Sequence, residues 1–298
     1  MVLSKQELKN IETVLVELAT KEVGPVLKEN AGKMFDSFDD KANQVDLVTA
    51  IDKQIEQTIL KRLKAEYPDF HFIGEESYTS ADREISDAPT FIVDPIDGTT
   101  NFIHGYPYSC TSMGLVEKGV PVVGVVYNPH LNQLYHASQG NGAFLNGEPL
   151  KPVERPLGLQ RSIIALESGS ERSSGSSGDD NFDIKQATYR SLLSDQGGYI
   201  HGSRSCGSAA MNMCMVASGY LDAYWEGGCW AWDVCAGWCI LTETGGKVVG
   251  GNANEWKIPV DERCYLAVRG GASESSQDKF IEEFWSHVAG KLKYFWQG

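Results

Sequence analysis

The 298-residue sequence holds no uninterrupted apolar run of about 18 residues, so no segment is expected to cross a bilayer as a helix. Basic charge is scarce. Twenty-six Lys and Arg against 40 Asp and Glu leave a formal net charge of −14, a field that disfavours nucleic acid and anionic membranes as partners. At the start of the chain Lys5, Lys9, Lys21 and Lys28 are interleaved with Glu7, Glu12, Glu17 and Glu22, so a signal peptide's basic stretch and apolar core are both missing. A disulfide framework is missing too. The seven cysteines are an odd number at irregular spacings, mostly in apolar segments, and read as reduced, buried thiols of a cytoplasmic protein. Neither the phosphate-cradling Gly-x4-Gly-Lys-Ser/Thr pattern nor a cysteine followed six residues later by arginine occurs. What is present is ordinary globular composition, 42% hydrophobic and 22% charged, enough for one large or two modest domains. With so acidic a chain, an anionic substrate would have to be drawn in by something else. Divalent cations held by clustered carboxylates would do it.

Ser4-Lys5-Gln6-Glu7 is a capping box ahead of Leu8, Ile11, Val14, Leu15 and Leu18 at helical spacing. A second helix is predicted from about Ala50 to Tyr67, its stripe being Ile51, Ile55, Ile59 and Leu63, with Pro68 stopping it. Residues 70–73 and 90–93 read as strands that run straight into carboxylates. From Cys110 to about Leu150, turn signals at Glu117-Lys118-Gly119, Asn128-Pro129, Gly140-Asn141-Gly142 and Asn146-Gly147 punctuate an antiparallel meander. Beyond a strand at 162–167, residues 168–180 form a flexible Ser/Gly-rich loop. Helices at 183–194, 208–218, 233–244 and from about 275 then alternate with strands near 198–202, 220–225 and 264–268. This order, without internal repeats, points to α+β layering rather than a doubly wound parallel sheet.

The most informative stretch is Val93-Asp94-Pro95-Ile96-Asp97-Gly98-Thr99-Thr100-Asn101-Phe102. An apolar strand delivers Asp94, Pro95 fixes a turn, and Asp97 follows three residues later beside a glycine that lets the chain bend. Two carboxylates on a rigid turn can face one point, where a hard cation with oxygen ligands would sit. Gly74-Glu75-Glu76-Ser77 and Trp232-Asp233 repeat the device at a strand end and a helix start. Singly, each has a plain reading as a turn, a solvated pair or a helix cap.

These segments resemble the paired signatures of the inositol monophosphatase family, magnesium-dependent and lithium-sensitive phosphomonoesterases: Asp94 through His104, and Trp232-Asp233 through Gly237. Val45-Asp46-Leu47-Val48-Thr49 with Asp52, Phe72 to Ser77, Gly207 to Ala210 and Asp222 to Glu226 resemble further family segments in family order, so the likeness covers nearly the whole chain. The resemblance implies a layered αβαβα sandwich, one catalytic domain over 1–298, a homodimer, and hydrolysis of inositol monophosphate. It implies two Mg²⁺ ions. Glu75, Asp94 and the Ile96 carbonyl would hold the first; Asp94, Asp97 and Asp233 the second; a third, looser ion would lie near Glu75. Li⁺ would inhibit by taking the second position. Thr99, hydrogen-bonded to Asp52, would position and deprotonate water, and amides around Gly98 and Thr99 would bind phosphate oxygens. Glu226 with Gly207, Ser208 and Ala209 would contact inositol hydroxyls, and Lys41 matches a mobile-loop lysine.

Other readings stay open at this point. An Asp-x-Asp-x-Thr phosphatase signature is out of register by one residue, because Pro95 and Ile96 both separate Asp94 from Asp97. Cys229, Cys235 and Cys239 as zinc ligands compete with simple core packing, since 235 and 239 lie four apart on an apolar helix. His104 reads as structural, and Trp225, Trp230, Trp232 and Trp238 as core or interface. A phosphatase for a sugar bisphosphate, a 3′-phosphonucleotide or histidinol phosphate is the main alternative; Glu226 favours a polyol over extra phosphates. A catalytically inactive scaffold is the other. The 168–180 loop, longer than the family's, reads as an inert insertion.

Overall fold

The computed structural model describes residues 2–33, 41–79, 85–173 and 180–294, the side chains of 41–48 lying outside that description. In chain order the elements are α1 (Lys5–Glu17), a π-helical stretch (Leu18–Val23), α2 (Gly24–Asn30), α3 (Lys41–Glu66), β1 (His71–Gly74), β2 (Thr90–Asp97) and α4 (Thr99–Ile103). Then come β3 (Cys110–Glu117), β4 (Val120–Asn128), β5 (Gln133–Ser138), β6 (Gly142–Leu145), β7 (Glu148–Pro149), β8 (Ile163–Leu166), α5 (Asn181–Leu193) and β9 (Gly202–Arg204). The last are α6 (Ala209–Ala217), β10 (Ala223–Gly227), α7 (Ala231–Glu243), β11 (Lys247–Gly250), β12 (Cys264–Val268) and α8 (Glu274–Ser286).

The capping box forms as predicted: Glu7 N–H donates to Ser4 Oγ, and Ser4 N–H to the Glu7 carboxylate at 2.7 Å. Helix α3 starts well before the predicted Ala50, at Lys41, and takes in the segment Val45 to Thr49 as part of the same helix. The π-helical stretch and strand β11 had no legible signal.

The chain forms two compact units, Met1–Leu150 with Gly207–Cys214 and Trp232–Glu243, and Lys151–Cys206 with Met215–Ala231 and Thr244–Gly298. The first unit holds a seven-stranded sheet in the order β1 to β7, parallel only between β1 and β2; the rest is the expected meander. Helix α1 packs on β4 and β5, and α3 on β2, burying Leu8, Ile11, Leu15, Ile55, Ile59 and Leu63 with Phe91, Val93, Met113 and Val123. Burial of this kind contributes about 25 cal/mol per Å² of apolar surface. The second unit's sheet runs β11-β12-β10-β8-β9, with α8 supplying Phe280, Phe284 and Trp285 to a core around Trp225 and Leu266. Each unit thus joins a mixed sheet to its own helices, the α+β class expected from the order of elements.

Two details of the first unit place acidic residues. Strand β2 does not end at Asp94 but runs on to Asp97, and its pairing with β3 slips between them: Asp94 faces Ser112 while Asp97 faces Cys110. Two residues on β2, Pro95 and Ile96, therefore oppose one on β3, Thr111, a bulge at Pro95, which has no N–H to give the ladder. In a regular strand, residues three apart point to opposite faces; one extra residue restores the parity, so Asp94 and Asp97 share a face. Helix α7, carrying Asp233, lies hard against the sheet where Gly114 and Gly124 are paired across β3 and β4. A Cβ on Gly124 would come within 2.2 Å of the Ala236 carbonyl oxygen, and one on Gly114 within 2.4 Å of Cys235 Sγ. Cys235 and Cys239 are buried on α7, as core packing requires. Gly124→Ala is expected to lower stability by about 1–3 kcal/mol through overpacking, because α7 would have to move off the sheet. A melting curve checks the effect.

Candidate metal centre

Asp94, Asp97 and Asp233 each bring a carboxylate oxygen to one place, with all three oxygens within 4.8 Å of one another. Asp94 is 2% exposed, and its Oδ1 is buried without a hydrogen-bond partner. A buried acceptor left without a donor costs stability unless something supplies positive charge. Asp97 is treated differently. Its Oδ2 accepts from Ser208 Oγ at 2.5 Å and from the Ala210 amide at 2.8 Å, so it caps the start of α6 while presenting a carboxylate to the cluster. Asp233 stands in the first turn of α7, and the peptide before it is held by Ser112 Oγ, which donates to the Trp232 carbonyl at 3.1 Å. Ser112 is the residue opposite Asp94 in the ladder, so one β3 side chain ties α7 to the level of the cluster. Tyr78 packs on the Trp232 ring, with centroids 5.2 Å apart.

Glu75 follows β1, its amide donating to the Val93 carbonyl at 3.1 Å and its carboxyl hydrogen-bonding with Asp94. Though the residue is exposed, desolvation of its carboxyl and the charges of Glu76, Asp97 and Glu56 push its pKa up to about 7, the Asp94 hydrogen bond opposing. Asp52, 5% exposed on α3, is pushed up to about 8 by burial and by Glu76, Glu75 and Glu56. Burial raises the Asp94 carboxyl well above its usual range, with Glu75, Asp97, Asp233 and Asp52 adding to the shift. Burial also raises Asp97, against the hydrogen bonds from Ser208 and the α6 amides. So many carboxylates crowded together, all with hard oxygen donors, fit a divalent cation such as Mg²⁺.

Gly98 has φ +84°, and a Cβ there would lie 3.0 Å from the carbonyl oxygens of both Gly207 and Tyr108, so only glycine makes this bend. The helix it opens, α4, has five residues, too few for a developed macrodipole; phosphate would be met by individual amides at Gly98 and Thr99. The Thr99 hydroxyl corrects one expectation. It donates to the Ile96 carbonyl at 3.1 Å instead of bonding to Asp52, because the bend folds Thr99 back over the last peptides of β2 and a hydroxyl has a single proton to give. The Ile96 carbonyl keeps a second lone pair for a cation. Ser208 also differs from expectation: it is 2% exposed and its proton is committed to Asp97, so it steadies a carboxylate of the cluster rather than facing a sugar hydroxyl. Gly207 packs on Asn101, whose Nδ2 donates to its carbonyl at 3.3 Å.

Glu226 belongs to the second unit, where Tyr224 Oη donates to its Oε2 at 2.5 Å. The Lys41 side chain lies outside the described residues, as does much of the 168–180 loop. Sequence reading missed Glu56, a 4%-exposed carboxylate that accepts the Glu76 amide at 2.8 Å and adds to the charge on Asp52. The signal was there: Asp52 and Glu56 stand four apart beside the buried stripe of α3.

With this geometry in hand, comparison with known proteins is specific. The inositol monophosphatase family pattern matches residues 7–289. Inositol monophosphatase 2 of Saccharomyces cerevisiae is 65% identical over 294 residues, covering 99% of this chain and 100% of that protein. Inositol monophosphatase 1 of the same yeast is 52% identical over 297 residues, covering 97% and 99%. Among solved structures, inositol monophosphatase from Anabaena (Nostoc) superposes with a TM-score of 0.76 at 30% identity, covering 94% of this chain and 97% of that one.

Proposed function

Since the chain belongs to the inositol monophosphatase family, we propose that it is a Mg²⁺-dependent phosphomonoesterase that hydrolyses inositol monophosphate to inositol and inorganic phosphate. The observation that carries this reading is the partnerless buried Oδ1 of Asp94, set beside the carboxylates of Asp97 and Asp233. Glu75, Asp94 and the Ile96 carbonyl would hold one Mg²⁺, and Asp94, Asp97 and Asp233 another, and a third, looser ion would lie near Glu75. Bound Mg²⁺ supplies positive charge that neutralises the phosphate dianion, acidifies water and steadies the departing alkoxide.

The remaining work falls to the chain. Amides at Gly98 and Thr99 orient phosphate oxygens. Thr99 Oγ1 has committed its own proton to Ile96, so toward an attacking water it acts as an acceptor and fixes the water's direction. Glu75 and Asp52, whose carboxyls are raised in the metal-free protein by burial and by neighbouring acids, are proposed to take the water's proton. Water oxygen bonds to phosphorus as the bond to the inositol oxygen breaks, and that oxygen leaves as the alcohol with one proton. Gly207 and Ala209, with Glu226, are proposed to meet inositol hydroxyls, Ser208 acting through Asp97. Lys41 is proposed as the lysine of a mobile loop. The proposal takes residues 1–298 as one catalytic domain, acting as a cytoplasmic homodimer; light scattering and cell fractionation read those two points. Among the described residues no helix is long and apolar enough to cross a membrane.

Phosphate release from inositol 1-phosphate is expected to vanish in EDTA, to return with added Mg²⁺, and to fall again with Li⁺. Run beside it, fructose bisphosphate and a 3′-phosphonucleotide are expected to turn over poorly. Substantial release in EDTA would remove the metal from the scheme, and preference for either comparison ester would move the substrate.

A further inference from the structure

Helix α5 buries one face, made of Asn181, Ile184, Lys185, Thr188 and Leu192. A lysine in such a row is unusual. Lys185 is 0% exposed and forms no ion pair among the described residues, yet methionine would fill the same volume without the cost of dehydrating an ammonium. Its Nζ donates to the Gly227 carbonyl at 2.7 Å and to the Ser168 carbonyl at 3.0 Å, and lies 5.4 Å from the centre of the Tyr294 ring. Gly227 is the residue after Glu226 on β10; Ser168 opens the Ser/Gly-rich loop. Between them sits Gly169, with φ +70°, where an added Cβ would be 3.1 Å from Lys185 Nζ and 3.8 Å from Glu226 Oε1. Tyr224 takes the other carboxylate oxygen. The amine, the loop and the carboxylate therefore meet at one glycine.

We propose that Lys185 is a positioning residue for substrate selection, pinning the base of the Ser/Gly-rich loop to the end of β10 and so holding Glu226 where it reads the hydroxyls of the polyol. The inference rests on the substrate reading above, in which Glu226 accepts from inositol. Electrostatics agree with it. Burial pushes the Glu226 carboxyl up to about 7, Glu167 adds to the rise, and the Tyr224 hydrogen bond and the Lys185 charge oppose it. Burial in turn lowers the Lys185 ammonium, against the pull of Glu226. A charge placed there serves the carboxylate, where a methionine would serve only the core.

The test compares kcat/KM for inositol 1-phosphate with that for 4-nitrophenyl phosphate, an ester with no ring of hydroxyls. Lys185→Met is expected to lower the ratio of the two about tenfold, the worth of one hydrogen bond to a charged group. The change should lie mainly in KM for the inositol ester. Glu226→Gln should lower the same ratio, and the double variant should match Glu226→Gln alone, because Lys185 acts through it. If Lys185→Met fails to fold, Gly169→Ala disturbs the same contact from the loop side and should shift the ratio in the same direction. Equal losses on both esters, or additive effects in the double variant, overturn the role of Lys185. A wild-type enzyme that does not favour inositol 1-phosphate overturns the substrate reading instead, and this inference with it.

Discussion

Asp94→Asn is expected to cut turnover by about a thousandfold or more, the order expected when about 4 kcal/mol of transition-state stabilisation goes, and at the same time to raise the melting temperature of the metal-free protein. The two effects have one cause. In the folded chain the Asp94 carboxylate is 2% exposed, has an oxygen with no donor, and feels Glu75, Asp97, Asp233 and Asp52. Without cations, that charge opposes folding; a neutral amide of the same shape relieves it, and a gain of ~1 kcal/mol moves the midpoint by roughly 2–4 °C in a protein of this size. With Mg²⁺ in excess the order should reverse. Wild type then gains RT ln(1 + [L]/Kd), about 2.7 kcal/mol at a hundredfold excess over Kd, and the variant, with its shared ligand weakened, gains far less. Melting curves of the two proteins, in EDTA and in Mg²⁺, should therefore cross. A variant that melts below wild type in EDTA would show that the protein itself satisfies Asp94, and the metal centre would lose its main support.

Much of that centre could be read before any coordinates, and what could not has a physical explanation. Asp94, Asp97, Glu75 and Asp233 were all marked by position, Asp94 where the apolar run of β2 gives way and the others where a strand or helix starts or stops. The way Asp94 and Asp97 come to share a face was not legible. A spacing of three suggests a turn, and only the ladder shows that the strand continues through a bulge at Pro95. The hydrogen bond from Ser208 to Asp97 joins residues 111 apart and leaves no local trace in a single sequence. Glu56 and Lys185 were hidden for a different reason. Each is a charged residue on a helix, which composition assigns to the solvated face, and each is instead buried because a polar backbone group is brought to it: the Glu76 amide in one case, the Gly227 and Ser168 carbonyls in the other. Thr99 shows the limit of resemblance. The motif supplies the residue, but the bend at Gly98 decides where its proton goes.

The same crowding makes the metal-free protein sensitive to pH in a definite direction. Asp52 is raised from 3.8 to about 8, and Glu75 from 4.5 to about 7. Below about pH 4 these groups are protonated in both folded and unfolded chains, and their contribution to stability is fully present. As pH rises, the unfolded chain gives up its protons first while the folded chain keeps them, so each unit of pH costs up to about 1.4 kcal/mol for a buried group such as Asp52. Above about pH 8 both states are ionised and the loss is complete. The melting temperature in EDTA should accordingly fall between pH 5 and pH 8, the reverse of the usual behaviour of salt-bridged carboxylates. Asp52→Asn should flatten the slope and leave the Asp52 variant more stable than wild type at pH 8. Excess Mg²⁺ should flatten it as well, because bound cations favour the ionised carboxylates and return the protons to solvent in the folded state too. A wild-type melting temperature that holds level or climbs across this range in EDTA, or a variant with an unchanged slope, would mean that the acids of α3 and β1 are not pressed together as the structure has them.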